Sequence, residues 1–202
     1  MTPRELEAKR IPVTLEALWN ESLLQWETLG VNPKRDAISL YLAHVVAETG
    51  LEHCWNYNIG NKKSRIGDGQ HWQFFACGEE LTANQIEMTR ALGKDLVTVV
   101  SKYARDGIEY YSCRIKPRHP WCRFQAFESL TDGVRAQLAY LKNPKHDNVL
   151  AALQTGDPGA YNRELLVDKY YTASPAAYLA LLQQCLIDVK CKTEHFNWGD
   201  VA

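Results

Sequence analysis

The chain has 202 residues, 46% of them apolar and 23% charged, with a formal net charge of −1. That size and balance fit one globular domain with a single sizeable core. The near-neutral charge argues against a nucleic-acid binder, which carries a basic patch or high pI, and no apolar run approaches the roughly 18 residues of a membrane span.

In chain order, Met1–Glu7 is polar and lacks the apolar stretch of a signal peptide. The first helix is predicted over 14–29, with Leu15, Leu18, Trp19, Leu23 and Trp26 at three/four spacing and Gly30 as its stop. Asn32-Pro33 reads as a cap and first helical residue. The second helix then runs to about Glu48, with Ile38, Tyr41, Leu42, Val45 and Val46 buried and Gly50 ending it. Residues 51–81 lose helical period. They hold a turn at Ile66-Gly67-Asp68-Gly69-Gln70 and a strand over 71–77. Thr82 caps a helix predicted over 83–103, with Gln85 in the capping-box position. Two extended pieces, 110–115 and 123–127, flank a proline-containing loop. Helices follow over 131–141, 148–154, 160–167 and 176–188, and the tail 192–202 reads as polar and loosely held. The order predicts a single α+β domain, mostly α, with a small extended lobe over about 55–128.

The six cysteines include no CxxC pair, so the usual zinc spacing is missing. Two readings stay open: disulfides in an oxidising compartment (Cys185 with Cys191, Cys113 with Cys122) or buried free thiols in a cytosolic protein. No HExxH, GxSxG or P-loop is present. Cys54 directly follows His53, a spacing that rarely makes a nucleophile–base dyad. The clusters Lys62-Lys63-Ser64-Arg65 and Arg114-Ile115-Lys116-Pro117-Arg118 fit a cleft rim or a solvated surface equally.

Glu48 is the residue with chemistry in it. A carboxylate in the last helical turn faces the negative end of the macrodipole, and apolar neighbours add desolvation. Both raise its pKa, as a general acid requires. His44, one turn back, is placed to hydrogen-bond with it. Trp55, Asn56, Tyr57 and Asn58 then combine aromatic faces with amides, a mixture suited to a sugar ring; a self-satisfied Asn/Gly loop is the alternative.

Ala47-Glu48-Thr49-Gly50 followed by Asn56-Tyr57-Asn58-Ile59-Gly60-Asn61-Lys62 resembles the glucosaminidase family that cleaves peptidoglycan, whose members carry an E-x-G helix end and an N-x-x-G-x-K segment. Arg123-Phe124-Gln125-Ala126-Phe127-Glu128-Ser129-Leu130 resembles its F-R-x-[YF]-x-S strand end. Lys169-Tyr170-Tyr171-Thr172-Ala173-Ser174-Pro175-Ala176-Ala177-Tyr178 resembles its Y-A-T-D-P-x-Y segment. The likeness spans roughly residues 35–188. Gln125 departs from the family arginine, and the helix at 83–103 is longer than the pattern leads one to expect.

The resemblance implies a lysozyme-like helical domain whose small extended lobe flanks a cleft. It makes Glu48 the general acid, with Tyr171 near the cleft and sugar contacts from Trp55, Asn56, Tyr57, Asn58, Lys62, Phe127 and Tyr170. A second carboxylate is expected from the small lobe: Glu79 or Glu80, with Asp68 behind them. A carboxyl pair about 5 Å apart implies retention and about 6.5–9.5 Å inversion, while the substrate N-acetyl group can replace the second carboxylate.

The expected activity is hydrolysis of β-1,4 bonds in peptidoglycan glycan strands, without cofactor or metal. A muramidase or chitinase-type hydrolase is the nearest rival. A lytic transglycosylase lacks support, because the G-x-M-Q segment is missing. A non-catalytic glycan-binding module of a virion or secretion system is the rival of another class. The substrate implies action in the periplasm or cell wall. With no signal peptide visible, phage lysis, a secretion system or a removed leader is the expected route. A secreted antibacterial effector would need a cognate immunity protein.

Overall fold

A computed structural model describes residues 2–52, 54–105, 107–168, 170–171 and 174–198. His53, Lys169, Thr172, Ala173 and the last four residues of the predicted tail lie outside these. The chain divides into two compact units. Residues 10–61 and 127–202 form a helical unit, and residues 1–9 and 62–126 form a sheet unit. The extended segment therefore begins later than predicted, at Lys62, and takes in the first nine residues. Among the described residues, no helix is long and apolar enough to cross a membrane.

In the helical unit, α1 (Leu15–Trp26) starts at Thr14, whose hydroxyl accepts from the Ala17 N–H. A short 3-10 turn extends it to Leu29, and Gly30 closes it at φ 73°. Next comes α2 (Arg35–Thr49), which starts two residues after the predicted proline, with Lys34 at its cap position. Every residue from Ala37 to Val45 is buried. A helix apolar on all sides has to be wrapped by neighbours rather than seated on one face. Its partners are α1, α5 (Asp147–Gln154) and α7 (Pro175–Lys192), and Trp26 meets Tyr41 edge-on at 5.7 Å. Gly50 adopts the left-handed conformation that ends the helix, its N–H donating to Val46 O. Two more helices, α4 (Leu130–Lys142) and α6 (Pro158–Val167), complete the unit.

The tail is not loose as far as it is described. The last helix continues to Lys192, and Trp19 packs against Phe196 and Trp198 at 5.0 and 5.7 Å. The Trp198 indole N–H donates to Thr193 O, and the Arg35 guanidinium lies over its ring. Two bulky aromatics outweigh the polar composition around them.

The sheet unit has two antiparallel sheets. One pairs β1 (His71–Phe74) with β5 (Arg123–Ala126), in register His71 to Ala126. The other is β2–β4–β3, from β2 (Cys77–Thr82), β3 (Val97–Arg105) and β4 (Ile108–Ile115). The single strand predicted over 71–77 is thus two strands in different sheets. The helix predicted over 83–103 stops early: α3 (Ala83–Ala91) ends before Gly93, and the following stretch is β3. The β-branched run Val97-Thr98-Val99-Val100 fits a pleated surface better than a helix, and its pairing with β4 decides the outcome. The capping box of Thr82 and Gln85 forms as expected. The N-terminal segment joins this unit, with Leu6 N–H donating to Trp72 O and Arg118 pairing with Glu5 at 2.9 Å.

The cysteines are free thiols. Cys113 lies opposite Glu79 and Val99 in the ladder, and the Cys122 sulfur has Cys77 as its neighbour instead. Cys185 and Cys191 both sit on α7, six residues and thus ~9 Å of rise apart. No loop exists between them to close.

Within the helical unit, the 55–61 segment leans on α4 where Gly133 has no side chain. A Cβ there would stand 2.1 Å from the Tyr57 carbonyl oxygen. Alanine in mid-helix ordinarily gains about 1 kcal/mol over glycine. Here overpacking, at about 1–3 kcal/mol or more, should reverse the sign. Gly133→Ala is expected to lower the urea midpoint.

Candidate active site

Glu48 occupies the last turn of α2, as the sequence implies. Burial pushes its carboxyl above the ordinary value of 4.5, opposed by hydrogen bonds from Tyr178 and Asn61. Tyr178, one turn into α7, donates its hydroxyl to Glu48 Oε1 at 2.7 Å. The Asn61 side-chain amide donates to the Glu48 carbonyl, one of the helix-end carbonyls left without an intrahelical partner. Among the described residues of the helical unit, the hydrogen-bond partners acting on this carboxyl are Tyr178 and Asn61, neither of them acidic. The environment holds a carboxylic acid in protonated form at higher pH than water would.

Behind it, His44 does not turn toward Glu48. Its Nε2 lies 3.0 Å from the Tyr170 hydroxyl and its Nδ1 3.4 Å from that of Tyr161. The proton positions follow by elimination. Tyr170 donates its only hydroxyl hydrogen to Gly60 O, which can only accept. His44 Nε2–H must then donate to Tyr170, leaving Nδ1 to accept from Tyr161. Full burial lowers the imidazole to about 4, which keeps it neutral, and the hydrogen bonds select this tautomer. Gln137 of α4 adds a second donor to the Tyr170 oxygen. Burial, reinforced by the Glu48 charge, pushes the hydroxyls of Tyr161, Tyr170 and Tyr178 well above the ordinary phenol range. They remain O–H donors throughout the physiological range.

The 55–61 segment is coiled tightly. Asn56, Tyr57 and Asn61 have φ of 43°, 54° and 46°, a region that suits asparagine better than most residues. Asn56 and Asn58 are 5% and 1% exposed, and Phe127 is 4% exposed with its N–H on Asn56 O. These three predicted sugar contacts are inside the protein, where they build the loop. Trp55 and Tyr57 are half-buried and keep part of their surface toward solvent. Tyr170 serves as the pin just described. Tyr171 stacks on Tyr178 at 4.1 Å and donates to Asn162 Oδ1, so it meets Glu48 through the Tyr178 ring.

The remaining candidates belong to the sheet unit. Glu79 and Glu80 sit within β2, on opposite faces as strand alternation demands. Lys63 pairs with Glu79 at 2.8 Å and Arg105 with Glu80 at 3.3 Å. Asp68 closes its turn: desolvation would raise its carboxyl, but hydrogen bonds from Gln70, Arg65, Gln125 and Ser64 hold it below the ordinary range. Gln125, standing where the family pattern has arginine, supplies one of them from its side-chain amide. Burial lowers the Lys62 ammonium to about 8, with Asp68 opposing. Among the described residues, no group of three His, Cys, Asp or Glu side chains is arranged to hold a metal ion.

Sequence reasoning missed Tyr178, Tyr161 and Gln137. Tyr178 had a visible signal, since it closes the segment quoted from Lys169 and falls in the first turn after Ser174-Pro175. Tyr161 and Gln137 look like ordinary helix residues and become legible only in three dimensions.

These elements define an α+β, mostly helical protein. Two solved structures share the fold. A mutant peptidoglycan hydrolase from Sphingomonas sp. A1 aligns with a TM-score of 0.53 at 16% identity, over 90% of this chain and 97% of its own. The peptidoglycan hydrolase from the same organism aligns at 0.50 and 14%, over 92% and 97%. No protein-family model matches the sequence, and no curated protein does.

Two outcomes are expected here. Tyr178→Phe removes a bond that favours the carboxylate, so the Glu48 pKa should rise further in an NMR titration. Folding also holds the Glu48 proton above the unfolded value. Stability is therefore fully present below that value and is lost as pH rises through the folded one. Glu48→Gln should melt with wild type at about pH 4 and above it at about pH 8.

Proposed function

We propose that this chain is a glycoside hydrolase of bacterial peptidoglycan, cutting the β-1,4 bond after N-acetylglucosamine with Glu48 as the general acid. One observation carries the reading: a single carboxyl at a helix end, desolvated, held by Tyr178 and kept protonated above its ordinary pKa. The likeness of fold to the Sphingomonas peptidoglycan hydrolases supports the substrate class. In this reading Glu48 protonates the glycosidic oxygen as the bond breaks. Tyr178 keeps the acid aimed and then stabilises the carboxylate left behind.

The second group is assigned to β2. Glu79 and Glu80 are its carboxylates, each with a cationic partner, Lys63 and Arg105. Trp55 and Tyr57 offer ring faces to the sugar, and Lys62 a donor. Tyr171 supports the acid through Tyr178. The action takes place in the periplasm or cell wall. If the chain is delivered there as an antibacterial effector, its producer carries an immunity protein, whose co-expression would abolish lysis by a periplasm-directed copy.

Digestion of purified peptidoglycan, with mass spectrometry of the muropeptides, tests the reading. Reducing N-acetylglucosamine ends are expected, and reducing N-acetylmuramic ends would make the chain a muramidase. Glu48→Gln should lower the rate by about 10²–10⁴-fold, the usual contribution of acid catalysis. Equal rates from mutant and wild type would remove Glu48 from the mechanism, and no product from either would favour a non-catalytic glycan-binding module. Glu79→Gln and Glu80→Gln, made separately, identify the second carboxylate by which one loses activity.

A further inference from the structure

The reading above uses none of the cysteines, yet two of them lie side by side. The sulfurs of Cys77 and Cys122 are 3.5 Å apart although 45 positions separate them in sequence. We propose that Cys77 and Cys122 form a disulfide in an oxidising compartment, tying the β1–β5 ladder to the β2–β4–β3 sheet.

The backbones are already held for it. Phe75, two residues before Cys77, donates its N–H to the Cys122 carbonyl at 3.4 Å. A disulfide needs a sulfur separation of about 2.05 Å, and the 3.5 Å between these sulfurs is a gap that side-chain rotation addresses. Cys77 begins β2 and Cys122 immediately precedes β5. The bond would therefore sit where the chain leaves one sheet for the other.

The chemistry is also set up. Cys77 is partly exposed and Cys122 is fully buried. The Lys63 ammonium is 3.6 Å from the Cys77 sulfur, fixed there by Glu79 and the Trp121 carbonyl. The hydrogen bond with Cys122 and burial raise the Cys77 thiol, with Lys63 opposing, while the same hydrogen bond lowers Cys122, the thiolate that makes the closing attack. The oxidant is a disulfide, either oxidised glutathione or a protein disulfide. The Cys77 thiolate attacks one of its sulfurs and releases the other as thiolate. The Cys122 thiolate then attacks the Cys77 sulfur and releases the second. Two protein thiols are oxidised, one external disulfide is reduced to two thiols, and the protein's two protons pass to them.

The other cysteines fit less well. Cys113 shares the small core but is committed in mid-β4, opposite Glu79 and Val99. Cys54 and Cys185 lie in the core of the helical unit, and Cys191 is on the outer side of α7.

The full-length protein, equilibrated with excess oxidised glutathione, alkylated and digested, gives the test. The expected product has lost two alkylatable thiols and 2 Da, with a cross-linked peptide pair containing Cys77 and Cys122. Cys113→Ser should keep that pair, and reduction should lower the melting temperature by on the order of 5 °C. Free thiols at both positions, a persistent glutathione adduct on Cys77, or a Cys113–Cys122 link would each overturn the proposal. The readout counts thiols, so its outcome is separate from that of the hydrolase reading.

Discussion

A helix buried on every side through its middle, and only partly exposed in its last turn, leaves its end short of water for polar groups. α2 is such a helix, and its last turn carries a charge-bearing side chain and carbonyls that lack intrahelical partners. Everything near Glu48 answers that demand. Asn61 reaches back to the Glu48 carbonyl, Gly50 reverses the chain, and Tyr178 satisfies the carboxyl. None of these partners neutralises the acid. The site is polar enough to tolerate a carboxyl group and too dry to favour its ionised form.

The same economy governs the layer behind it. Each hydroxyl and ring nitrogen in the His44, Tyr161 and Tyr170 group has a partner with a defined direction of donation. A neutral histidine with a fixed tautomer acts here as a rigid spacer rather than a proton carrier. It locks Tyr170 against Gly60, and so sets the height of the 55–61 coil relative to the end of α2. Buried hydrogen bonds with fixed directions of donation favour one arrangement of the chain around them.

Much of this was legible beforehand, for physical reasons that differ by region. The helices of the larger unit could be read because their starts and stops are strong. Gly30, Gly50 and Ser174-Pro175 act locally, whatever packs nearby. Glu48 could be read because a carboxylate at an apolar helix end is an anomaly. The sheet unit was harder. Ile86, Leu92, Leu96, Val99 and Val100 fit a helical period, yet Leu92 and Val100 are exposed and Val97 is buried. β3 and β4 are neighbours in the chain and pair antiparallel; the Asp106-Gly107 between them is a hairpin signal that the helical period over 83–103 masked. Asn56 and Asn58 are ambiguous in another way. Amides that suit a sugar edge suit a buried backbone equally, and only burial tells the two uses apart.

The sheet unit interrupts the helical one, since residues 10–61 must find residues 127–198 across it. Glu48 and Tyr178 stand 130 positions apart. During synthesis, the ribosome has released the acid long before the helix that aims it exists. Until α7 docks, the Glu48 carboxyl is an ordinary solvated side chain with an ordinary affinity for its proton. The raised proton affinity of Glu48 therefore belongs to the assembled unit and not to the segment that carries it.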